Sequence, residues 1–250
     1  AGDWTAADVH FRDGRSFFTP CYKGRGEGMV EAALIGNHNV KNALAVYAMG
    51  RALGIEHEKL LEGFRTFQGV KRRQEIRGER RGVLVIDDFA HHPTAVRETI
   101  DAVRAAYSGR RLWAIFEPRS NTSKRNVFEK EFAAALARAD RVLVAAVFQP
   151  EKVPEGERLS VHNLVAEANR LSGEQRALAV AGATLLAQQG RELVDGVLGD
   201  GRVELTAVDP PLDVPDQALG LSGLGLLVVP VQDGVQPGGQ LGLAGRRLGN

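Results

Sequence analysis

The sequence predicts an α/β protein in which a smaller N-terminal unit precedes a Rossmann-like domain with a parallel sheet. Three apolar runs, at 83–86, 111–116 and 141–147, have the continuous hydrophobicity of strands that are buried on both faces. Each of the first two runs leads into a polar loop, and each loop leads into a segment with apolar residues at helical spacing. The resulting βαβαβ order is typical of a doubly wound sheet, which binds ligands at the carboxyl ends of its strands.

The first part of the chain has the pattern of a hairpin followed by two helices. Asp13 and Gly14 lie between two short β-type segments, where a tight hairpin turn favours this pair of residues. One helix is predicted from about Asn39 to a stop at Gly54, and a second helix ends before Gly69.

Two further helices connect the strands of the Rossmann-like part. Pro93 suits the first turn of the first of them, because its missing N–H would have no partner there in any case. The predicted inward faces consist of Val96, Thr99, Ile100 and Val103 in this helix and of Phe128, Phe132 and Leu136 in the next. These patterns divide the chain into residues 1–79, 80–172 and 173–250.

The composition excludes several classes of protein. Hydrophobic residues make up 44% of the chain and charged residues 25%, as in ordinary globular proteins, and the net charge of +1 favours neither nucleic acid nor an anionic membrane as a partner. No apolar run approaches the roughly 18 residues that a membrane helix needs. The single cysteine, Cys21, cannot form an internal disulfide and fits a reducing compartment. We therefore expect a cytoplasmic protein.

Residues 173–250 have an unusual composition. They contain 15 of the 29 glycines and no aromatic residue, lysine or histidine. Because aromatic side chains supply much of the buried area of a core, we expect an atypical Gly-rich tail that is out of frame or disordered. An ordinary Gly-rich extension is the alternative. Within this tail the pattern suggests a helix over about 177–198 and a strand at 226–229.

Two asparagines stand at the predicted start of the first helix. Asn39 and Asn42 are three residues apart, so both amides can project from one side of the helix. A side-chain amide offers a donor and an acceptor together, which match the edge of an adenine ring. Helix capping is the alternative for Asn39, but capping explains the pair less well.

A cluster of cations follows the second helix. Lys71, Arg72 and Arg73 are consecutive. A guanidinium binds phosphate in a bidentate fork and spreads charge during phosphoryl transfer, so the cluster indicates a phosphate clamp. A solvated surface turn is the alternative.

Paired carboxylates and imidazoles fill the loop after the first strand of the Rossmann-like sheet. The loop reads Asp-Asp-Phe-Ala-His-His-Pro over residues 87–93. A carboxylate there can accept hydrogen bonds from a ribose, and a histidine can contact phosphate or substrate. Adjacent like side chains tend to diverge, so no dedicated metal site is expected in this loop.

The loop after the following strand, residues 117–124, combines a guanidinium with small polar side chains. Its candidate binding residues are Arg119, Ser120, Asn121 and Thr122. An arginine can pair with a carboxylate through two parallel hydrogen bonds, so this loop suits a substrate that carries a carboxylate. A polar loop in which a serine or threonine caps the next helix is the alternative.

The order and spacing of four motifs, GNHNVKNALAVYA, FQGVKRR, IDDFAHHPTAV and FEPRSNTSK, resemble the Mur ligase family from mid-chain into its C-terminal domain. The resemblance covers about residues 1–150. It implies that residues 1–79 end a central ATP-binding domain and that residues 80–172 form most of a Rossmann-like C-terminal domain. It further implies an ATP- and Mg²⁺-dependent ligase of cell-wall synthesis that activates a carboxylate as an acyl phosphate.

Within this family the two loop motifs are most similar to murein peptide ligases, which join UDP-N-acetylmuramate to the murein tripeptide in peptidoglycan recycling. The resemblance implies that Asn39 and Asn42 lie by the adenine and that Asp88 contacts the ribose. Arg73 would act near the transferred phosphate and His91 at the junction of ATP and substrate. The residues that would bind the tripeptide are Arg119, Ser120, Asn121 and Thr122.

One motif of the family is absent from the sequence. No G-x-x-x-x-G-K-[ST] phosphate-binding loop occurs, and we expect that loop, the main Mg²⁺ ligands and a UDP-binding domain upstream of Ala1. The chain is therefore expected to be a fragment that is inactive alone. The alternatives are a fragment of a UDP-N-acetylmuramate–L-alanine ligase and a non-catalytic nucleotide- or peptide-binding remnant. A folylpolyglutamate synthetase relative is a weaker alternative, against which the DDFAHHP loop argues.

Overall fold

An antiparallel sheet and two helices form the N-terminal part of the molecule. The computed structural model describes residues 2–80, 82–180 and 224–229. The elements of the N-terminal part are β1 (Trp4–Arg12), β2 (Arg15–Tyr22), β3 (Arg25–Gly26), β4 (Val30–Ala32), α1 (Asn37–Ala52) and α2 (His57–Thr66). In the sheet, β2 pairs antiparallel with each of the other three strands.

The turn between β1 and β2 lies at the predicted pair of residues. Asp13 and Gly14 both have left-handed backbone conformations, with φ angles of 50° and 73°. Two consecutive left-handed residues give the tight turn that matches the twist of a hairpin, and both residue types tolerate that conformation. The predicted hairpin is therefore confirmed, and so are the two helices that follow it.

A partly buried polar network around Tyr47 joins α1 and α2 to the segment between β3 and β4. The Tyr47 side chain is fully buried, and its hydroxyl donates to Oε2 of Glu27 at 2.9 Å. The same hydroxyl lies 2.7 Å from Nδ1 of His57, and Nε of Arg51 donates to the same Glu27 oxygen at 2.8 Å. Burial, reinforced by the hydrogen bond to Glu27, raises the pKa of the Tyr47 hydroxyl. The hydroxyl therefore keeps its proton and continues to donate.

A second, mixed sheet carries the Rossmann-like part of the molecule. Its strands are β5 (Glu75–Arg80), β6 (Val83–Asp88), β7 (Arg111–Phe116), β8 (Arg141–Ala145), β9 (Ala177–Val180) and β10 (Leu224–Val229). Their order across the sheet is β5-β6-β10-β7-β8-β9. β7, β8 and β9 are parallel neighbours, whereas β5 pairs antiparallel with β6. β10 lies antiparallel between β6 and β7, so these two strands point in the same direction.

Helices pack against this sheet with the faces that the sequence indicated. They are α3 (Pro93–Ala106), α4 (Glu129–Leu136) and α5 (Val161–Ser172). Val96, Ile100 and Val103 of α3 are completely buried in the core of this domain. Phe132 of α4 contacts Phe116 of β7, with the ring centroids 5.1 Å apart. In the described part of the chain, no helix combines the length and the apolar character needed to cross a bilayer.

The predicted α/β class with a parallel sheet is confirmed, and the antiparallel β10 is the main addition. β6, β7 and β8 form at the three apolar runs, and β10 contains the strand predicted at 226–229. The helix predicted from residue 177 is wrong at 177–180, because this segment is β9, paired with β8. The spacing of apolar residues cannot reveal such pairing, since β8 lies far away in the sequence.

Local contacts explain why the chain changes direction before β9. Gly173 follows α5 in a left-handed conformation, with φ of 70°, which ends the helix. The Asn169 side chain then accepts hydrogen bonds from the main-chain N–H groups of Arg176 and Ala177, each at 2.7 Å. These contacts point the following residues along the edge of β8.

The second sheet extends beyond both of the predicted domain boundaries. β5 begins at Glu75, ahead of residue 80, and β9 and β10 lie after residue 172. Apart from residues 173–180 and 224–229, the segment 173–250 lies outside the described residues. For that remainder the atypical tail stays a prediction.

Tyr47→Phe is expected to lower the free energy of unfolding by about 1–3 kcal/mol, because Glu27 and His57 lose a buried hydrogen-bond partner while the ring keeps its packing. Urea unfolding followed by circular dichroism measures the change. Tyr22→Phe is the matched control, since Tyr22 is 40% exposed and its hydroxyl has no hydrogen-bond partner in the described ranges. Its expected effect is below about 0.5 kcal/mol. Equal losses in the two variants would contradict a stabilising role for the network.

Candidate functional site

A cavity of about 700 Å³ lies between α1, α2 and the residues that flank the start of the second sheet. Four of the residues that the sequence singled out line this cavity: Asn39, Asn42, Arg73 and Asp88. They come from α1, from the segment after α2 and from the end of β6. The fold thus brings side chains from three separate parts of the sequence together in the lining of one cavity.

The cavity combines an apolar lining with a limited set of polar groups. α1 and α2 contribute aliphatic and aromatic side chains, among them Val46, Leu60 and Phe64. Further polar side chains in the lining are His38, Lys59, Gln74, Glu98 and Thr99. Small-molecule sites in proteins commonly have this composition, in which apolar groups supply contact area and a few polar groups set the orientation of the ligand.

The two asparagines of α1 both line the cavity, but only Asn39 makes side-chain hydrogen bonds with other described residues. The Asn39 amide donates to the carbonyl oxygen of Ile35 at 2.9 Å and to Oε1 of Gln74 at 3.0 Å, so its orientation is set by protein contacts. Asn39 does not cap α1, because the cap residue is Gly36 and no side chain takes part. Asn42 is exposed, and its side chain makes no hydrogen bond within the described residues. The capping alternative for Asn39 is therefore wrong.

Residues 70–74, here called the basic strap, have an unusual backbone. Arg72 and Gln74 are left-handed, with φ angles of 58° and 53°, although neither is glycine. Such conformations cost on the order of 1 kcal/mol or more each, and surrounding contacts must hold them. Phe89 N–H donates to the carbonyl oxygen of Arg72 at 2.8 Å, and Arg72 N–H donates to Oε2 of Glu75 at 2.8 Å. These bonds fix the strap that carries Arg73.

Asp88 links the basic strap to the second sheet. Its Oδ2 accepts the main-chain N–H of Gln74 at 2.9 Å, and its Oδ1 accepts that of Ala90 at 2.7 Å. The residue is only 6% exposed, and burial raises the pKa of its carboxyl, while these two hydrogen bonds and Arg73 oppose the shift. The sequence placed Asp88 among the nucleotide ligands and did not indicate this structural role.

The neighbouring carboxylate, Asp87, has a different environment. It is equally buried, and its Oδ1 has no hydrogen-bond partner among the described residues. Its Oδ2 lies 3.9 Å from Nε of Arg72, whose guanidinium carbon is 5.0 Å from the Phe89 ring centroid. Burial raises the pKa of this carboxyl as well. The two adjacent aspartates thus diverge, as the sequence predicted for like neighbours.

The two histidines of the same loop lie outside the cavity lining. Nδ1 of His91 is 2.8 Å from the carbonyl oxygen of Phe89, and the two rings are 4.9 Å apart. Nδ1 of His92 accepts the N–H of Thr94 at 3.4 Å and so caps α3. The structure therefore does not place His91 beside Asn39 and Asn42.

The second loop, residues 117–124, is organised around an ion pair. Nη2 of Arg119 donates to Oε1 of Glu117 at 3.2 Å, and Nε of Arg119 lies 3.0 Å from Oε2 of Glu117. The Arg119 guanidinium also lies over the ring of Phe148, with its carbon 4.0 Å from the ring centroid. Arg119 is thus held by contacts that the motif alone did not reveal.

The other predicted residues of the second loop have simpler surroundings. Ser120 and Ser123 exchange hydrogen bonds, since each main-chain N–H donates to the other residue's hydroxyl at 3.0 Å. Ser120 therefore stabilises the turn itself. The side chains of Asn121 and Thr122 make no hydrogen bonds within the described ranges. None of these residues lines the cavity between α1 and α2.

Several contributors to the cavity were not predicted. Gln74 follows the cation cluster directly, and its Nε2 is buried without a hydrogen-bond partner in the described residues. His38 lies between the motif residues Asn37 and Asn39, and its Nδ1 is 3.6 Å from Oε2 of Glu98 in α3. The position of Gln74 beside three cations was a signal that could have been used. The partner of His38 was not visible, because α3 approaches α1 only in the fold.

The described residues contain no group of three or more His, Cys, Asp or Glu side chains that could hold a metal ion. Mg²⁺ is usually held by carboxylates together with phosphate oxygens of a substrate. No ligand for the Mg²⁺ that the resemblance implies is therefore assigned to this part of the chain.

Comparison with known proteins gives consistent matches. Residues 72–198 match the family described as Mur ligase, glutamate ligase domain. The UDP-N-acetylmuramate–L-alanine ligase of Chlorobium luteolum is 39% identical over 172 residues, which cover 68% of this chain and 36% of that protein. The corresponding ligase of Nostoc punctiforme is 38% identical over 147 residues, which cover 58% and 30%. The chain therefore spans about a third of the length of these curated relatives.

Solved structures show the same likeness. The UDP-N-acetylmuramate–alanine ligase of Thermotoga maritima has a TM-score of 0.62 at 26% identity, and the match covers 75% of this chain and 39% of that one. A folylpolyglutamate synthase of Mycobacterium tuberculosis, solved with ADP and AMPPCP, has a TM-score of 0.59 at 19% identity and covers 80% and 43%. At this low identity the second match shows a shared fold alone.

Asp88→Asn is expected to lower the free energy of unfolding by about 1–3 kcal/mol, because one asparagine oxygen cannot accept both main-chain N–H groups and the amide would face one of them. Asp87→Asn is the matched control, since Asp87 is equally buried but, among the described residues, no main-chain N–H donates to its carboxylate. Urea unfolding at neutral pH measures both variants. If Asp87→Asn proves the more destabilising, the two hydrogen bonds of Asp88 are not what holds the strap.

Proposed function

We propose that this chain, which belongs to the Mur ligase family through residues 72–198, forms the nucleotide- and amino-acid-binding part of an ATP-dependent ligase. The ligase would join an amino acid to UDP-N-acetylmuramate in the cytoplasm, during the synthesis of peptidoglycan. The cavity between α1 and α2 would bind the nucleotide, and the second loop would face the amino substrate. A structure that spans about a third of its relatives supplies only part of such a site.

L-Alanine is the amino substrate that we propose. The two curated relatives described above, at 38% and 39% identity, are named for L-alanine addition, as is the related structure from Thermotoga maritima. This choice replaces the murein tripeptide, which the loop motifs favoured, and adopts the alternative that the sequence had left open. The tripeptide remains the second candidate because of the DDFAHHPTA and EPRSNT motifs.

The observation that carries the nucleotide proposal is the composition of the cavity. Its aliphatic and aromatic lining suits a flat purine ring, and the amides of Asn39 and Asn42 lie in the same wall. The buried Nε2 of Gln74 has no partner in the described residues, so a ligand acceptor would satisfy a donor that is otherwise unpaired. The residues present therefore fit an adenine nucleotide.

Arg73 is proposed to lie at the phosphate end of the nucleotide. It lines the cavity and is exposed, and it forms no ion pair with the described residues. Hydrogen bonds to Arg72 and Gln74, the left-handed residues on either side, hold this part of the strap, so the main-chain position of Arg73 is set before a ligand arrives. When bound, ATP supplies the phosphoryl group that activates a carboxylate. The guanidinium of Arg73 would then stabilise negative charge on the phosphate.

Asp88 and His91 have more limited roles in the proposal. Both Asp88 oxygens already accept a main-chain hydrogen bond, but a carboxylate oxygen can accept more than one, so contact with a ribose remains compatible with the geometry. His91 uses Nδ1 toward Phe89, and its Nε2 makes no hydrogen bond within the described part of the chain. His91 would therefore meet a substrate only beyond the cavity lining.

The second loop is proposed to bind the carboxylate of the amino substrate. Arg119 presents a guanidinium at the carboxyl end of β7, where an α/β sheet binds its ligands. Ser120 would act through the turn that it stabilises, and Asn121 and Thr122 through side chains that make no internal hydrogen bond.

Two substitutions test the ends of the nucleotide site with two probes, adenosine and AMPPCP. Asn42→Ala should weaken both probes alike, by about 2- to 10-fold, because a neutral hydrogen bond to the base is lost. Arg73→Ala should weaken AMPPCP by about 10-fold or more and leave adenosine unchanged, because only AMPPCP carries phosphates. Isothermal titration calorimetry of the 250-residue chain measures both.

The controls for this titration are Asn163→Ala and Arg170→Ala, two exposed positions on α5, a helix that does not line the cavity. Neither should change either dissociation constant by more than about twofold, as is usual for surface substitutions. Failure of the unmodified chain to bind AMPPCP, or an equal effect of Arg73→Ala on both probes, would remove the basis for the nucleotide site.

The amino substrate is tested with a chimera in which this chain replaces the matching part of the Chlorobium luteolum ligase. ADP release with UDP-N-acetylmuramate should depend on L-alanine and should not be supported by the murein tripeptide. The chain alone is the control and should release no ADP, because it carries no phosphate-binding loop motif. A preference for the tripeptide would restore the second candidate, and ADP release by the chain alone would contradict the proposal that it supplies only part of the site.

A further inference from the structure

Arg119 is held from two sides by side chains to which neither the family match nor the relatives assign a role. We infer that Glu117 and Phe148 are positioning residues, which present the free end of the Arg119 guanidinium to the carboxylate of the amino substrate. This inference rests on the proposed function. It concerns how the guanidinium is oriented before any substrate binds.

Glu117 lies along one edge of the guanidinium. Nη2 of Arg119 donates to Oε1 at 3.2 Å, and Nε lies 3.0 Å from Oε2 in an ion pair without a hydrogen bond. A guanidinium carries five N–H groups in a rigid plane. The edge formed by Nη1 and the second N–H of Nη2 therefore stays available, and this is the fork that pairs with a carboxylate through two parallel hydrogen bonds.

Phe148 restrains the guanidinium through one of its faces. The guanidinium carbon lies 4.0 Å from the ring centroid, a distance at which a cation and an aromatic ring attract each other. Phe148 reaches this position because its N–H donates to the carbonyl oxygen of Pro118 at 3.0 Å. The loop after β8 is thus tied to the loop after β7, and the two strands themselves are parallel neighbours.

The exposure of the pair shows which way the cation points. The Glu117 side chain is 2% exposed, whereas the Arg119 side chain is 38% exposed. The carboxylate is therefore enclosed and the guanidinium extends from it to the surface. A buried carboxylate needs a cation, so simple neutralisation of Glu117 would also explain the contact.

The two explanations predict opposite effects of Glu117→Gln on the binding of an anion. If Glu117 only requires a counter-ion, loss of its negative charge frees Arg119 and should tighten the binding of a carboxylate. If Glu117 orients Arg119, the neutral amide holds the guanidinium less firmly, and carboxylate binding should weaken. The sign of the change distinguishes a positioning residue from a buried charge.

The experiment uses the 250-residue chain with L-alanine as the probe and L-alaninamide, which lacks the carboxylate, as the control ligand. The side-chain Nε–Hε signal of Arg119 in nitrogen-15 NMR spectra reports both orientation and binding. L-Alanine should shift this signal and L-alaninamide should not. Glu117→Gln should raise the dissociation constant for L-alanine by about 2- to 10-fold. Phe148→Leu should raise it by about 2- to 5-fold.

Two further variants separate orientation from general disturbance of the fold. Phe148→Tyr keeps the aromatic face and should retain the Arg119 signal and the affinity. Phe89→Leu makes the same change as Phe148→Leu at an exposed ring that lies 5.0 Å from the guanidinium carbon of Arg72, so it should leave Arg119 unaffected. Because Phe148 lies at the surface, its variants test the inference even where Glu117→Gln impairs folding.

Tighter binding of L-alanine by Glu117→Gln would overturn the inference. It would also be overturned if the Arg119 signal, measured without ligand, were unchanged in both Glu117→Gln and Phe148→Leu. The proposed function fails separately. If the two variants disturb the ligand-free signal but L-alanine and L-alaninamide act alike on the unmodified chain, the guanidinium is positioned as inferred and its assigned ligand is wrong.

Discussion

The arrangement of the candidate site depends on the two main-chain hydrogen bonds that the Asp88 carboxylate accepts. One joins the end of β6 to the basic strap, and the other shapes the first turn of the following loop. Without the first bond, little in the local sequence would favour left-handed Gln74, because a non-glycine residue adopts that conformation at a cost. A contact between the sheet and the strap therefore helps to determine where the Arg73 cation is placed. The strap forms the third wall of the candidate cavity.

Similar contacts occur near the ends of β6 and β7. Arg72 of the basic strap lies over the face of Phe89 in the loop after β6, and Arg119 in the loop after β7 lies over the face of Phe148 from the loop after β8; both rings are exposed. Each arginine also lies within 4 Å of a buried carboxylate at the end of the neighbouring strand. The two cations differ in their surroundings, since Arg72 lies within the strap, whereas Arg119 extends toward solvent. An arginine, an aromatic ring and a buried carboxylate thus come together near the ends of two strands that β10 separates.

Much of the fold could be predicted because its signals are local. Continuous apolar runs located β6, β7 and β8, and the inward positions of α3 followed from helical spacing. β9 and the place of β10 could not be predicted, because strand pairing depends on partners that are remote in sequence. For the site, the residue types near Asn39 and Arg73 indicated ligand chemistry. The internal partners of Asp88 could not be seen, since main-chain donors leave no trace in a motif. The contact of Arg119 with Phe148 could not be seen either, because Phe148 follows a different strand.

Because β10 lies between β6 and β7 but follows both in sequence, the centre of this sheet can be completed only after both of its neighbours have been made. Residue 224 lies opposite residues 88 and 116, so the strand that joins β6 to β7 leaves the ribosome long after both of them. β5 with β6, and β7 with β8, are closer in sequence and can pair earlier, since local contacts close at a lower entropic cost. In the interval, β6 and β7 each have an unpaired inner edge, the kind of surface on which nascent chains associate wrongly. Slow synthesis of the segment between β8 and β10 would lengthen the time for which these edges are unpaired, whereas a chaperone bound to them would limit wrong association.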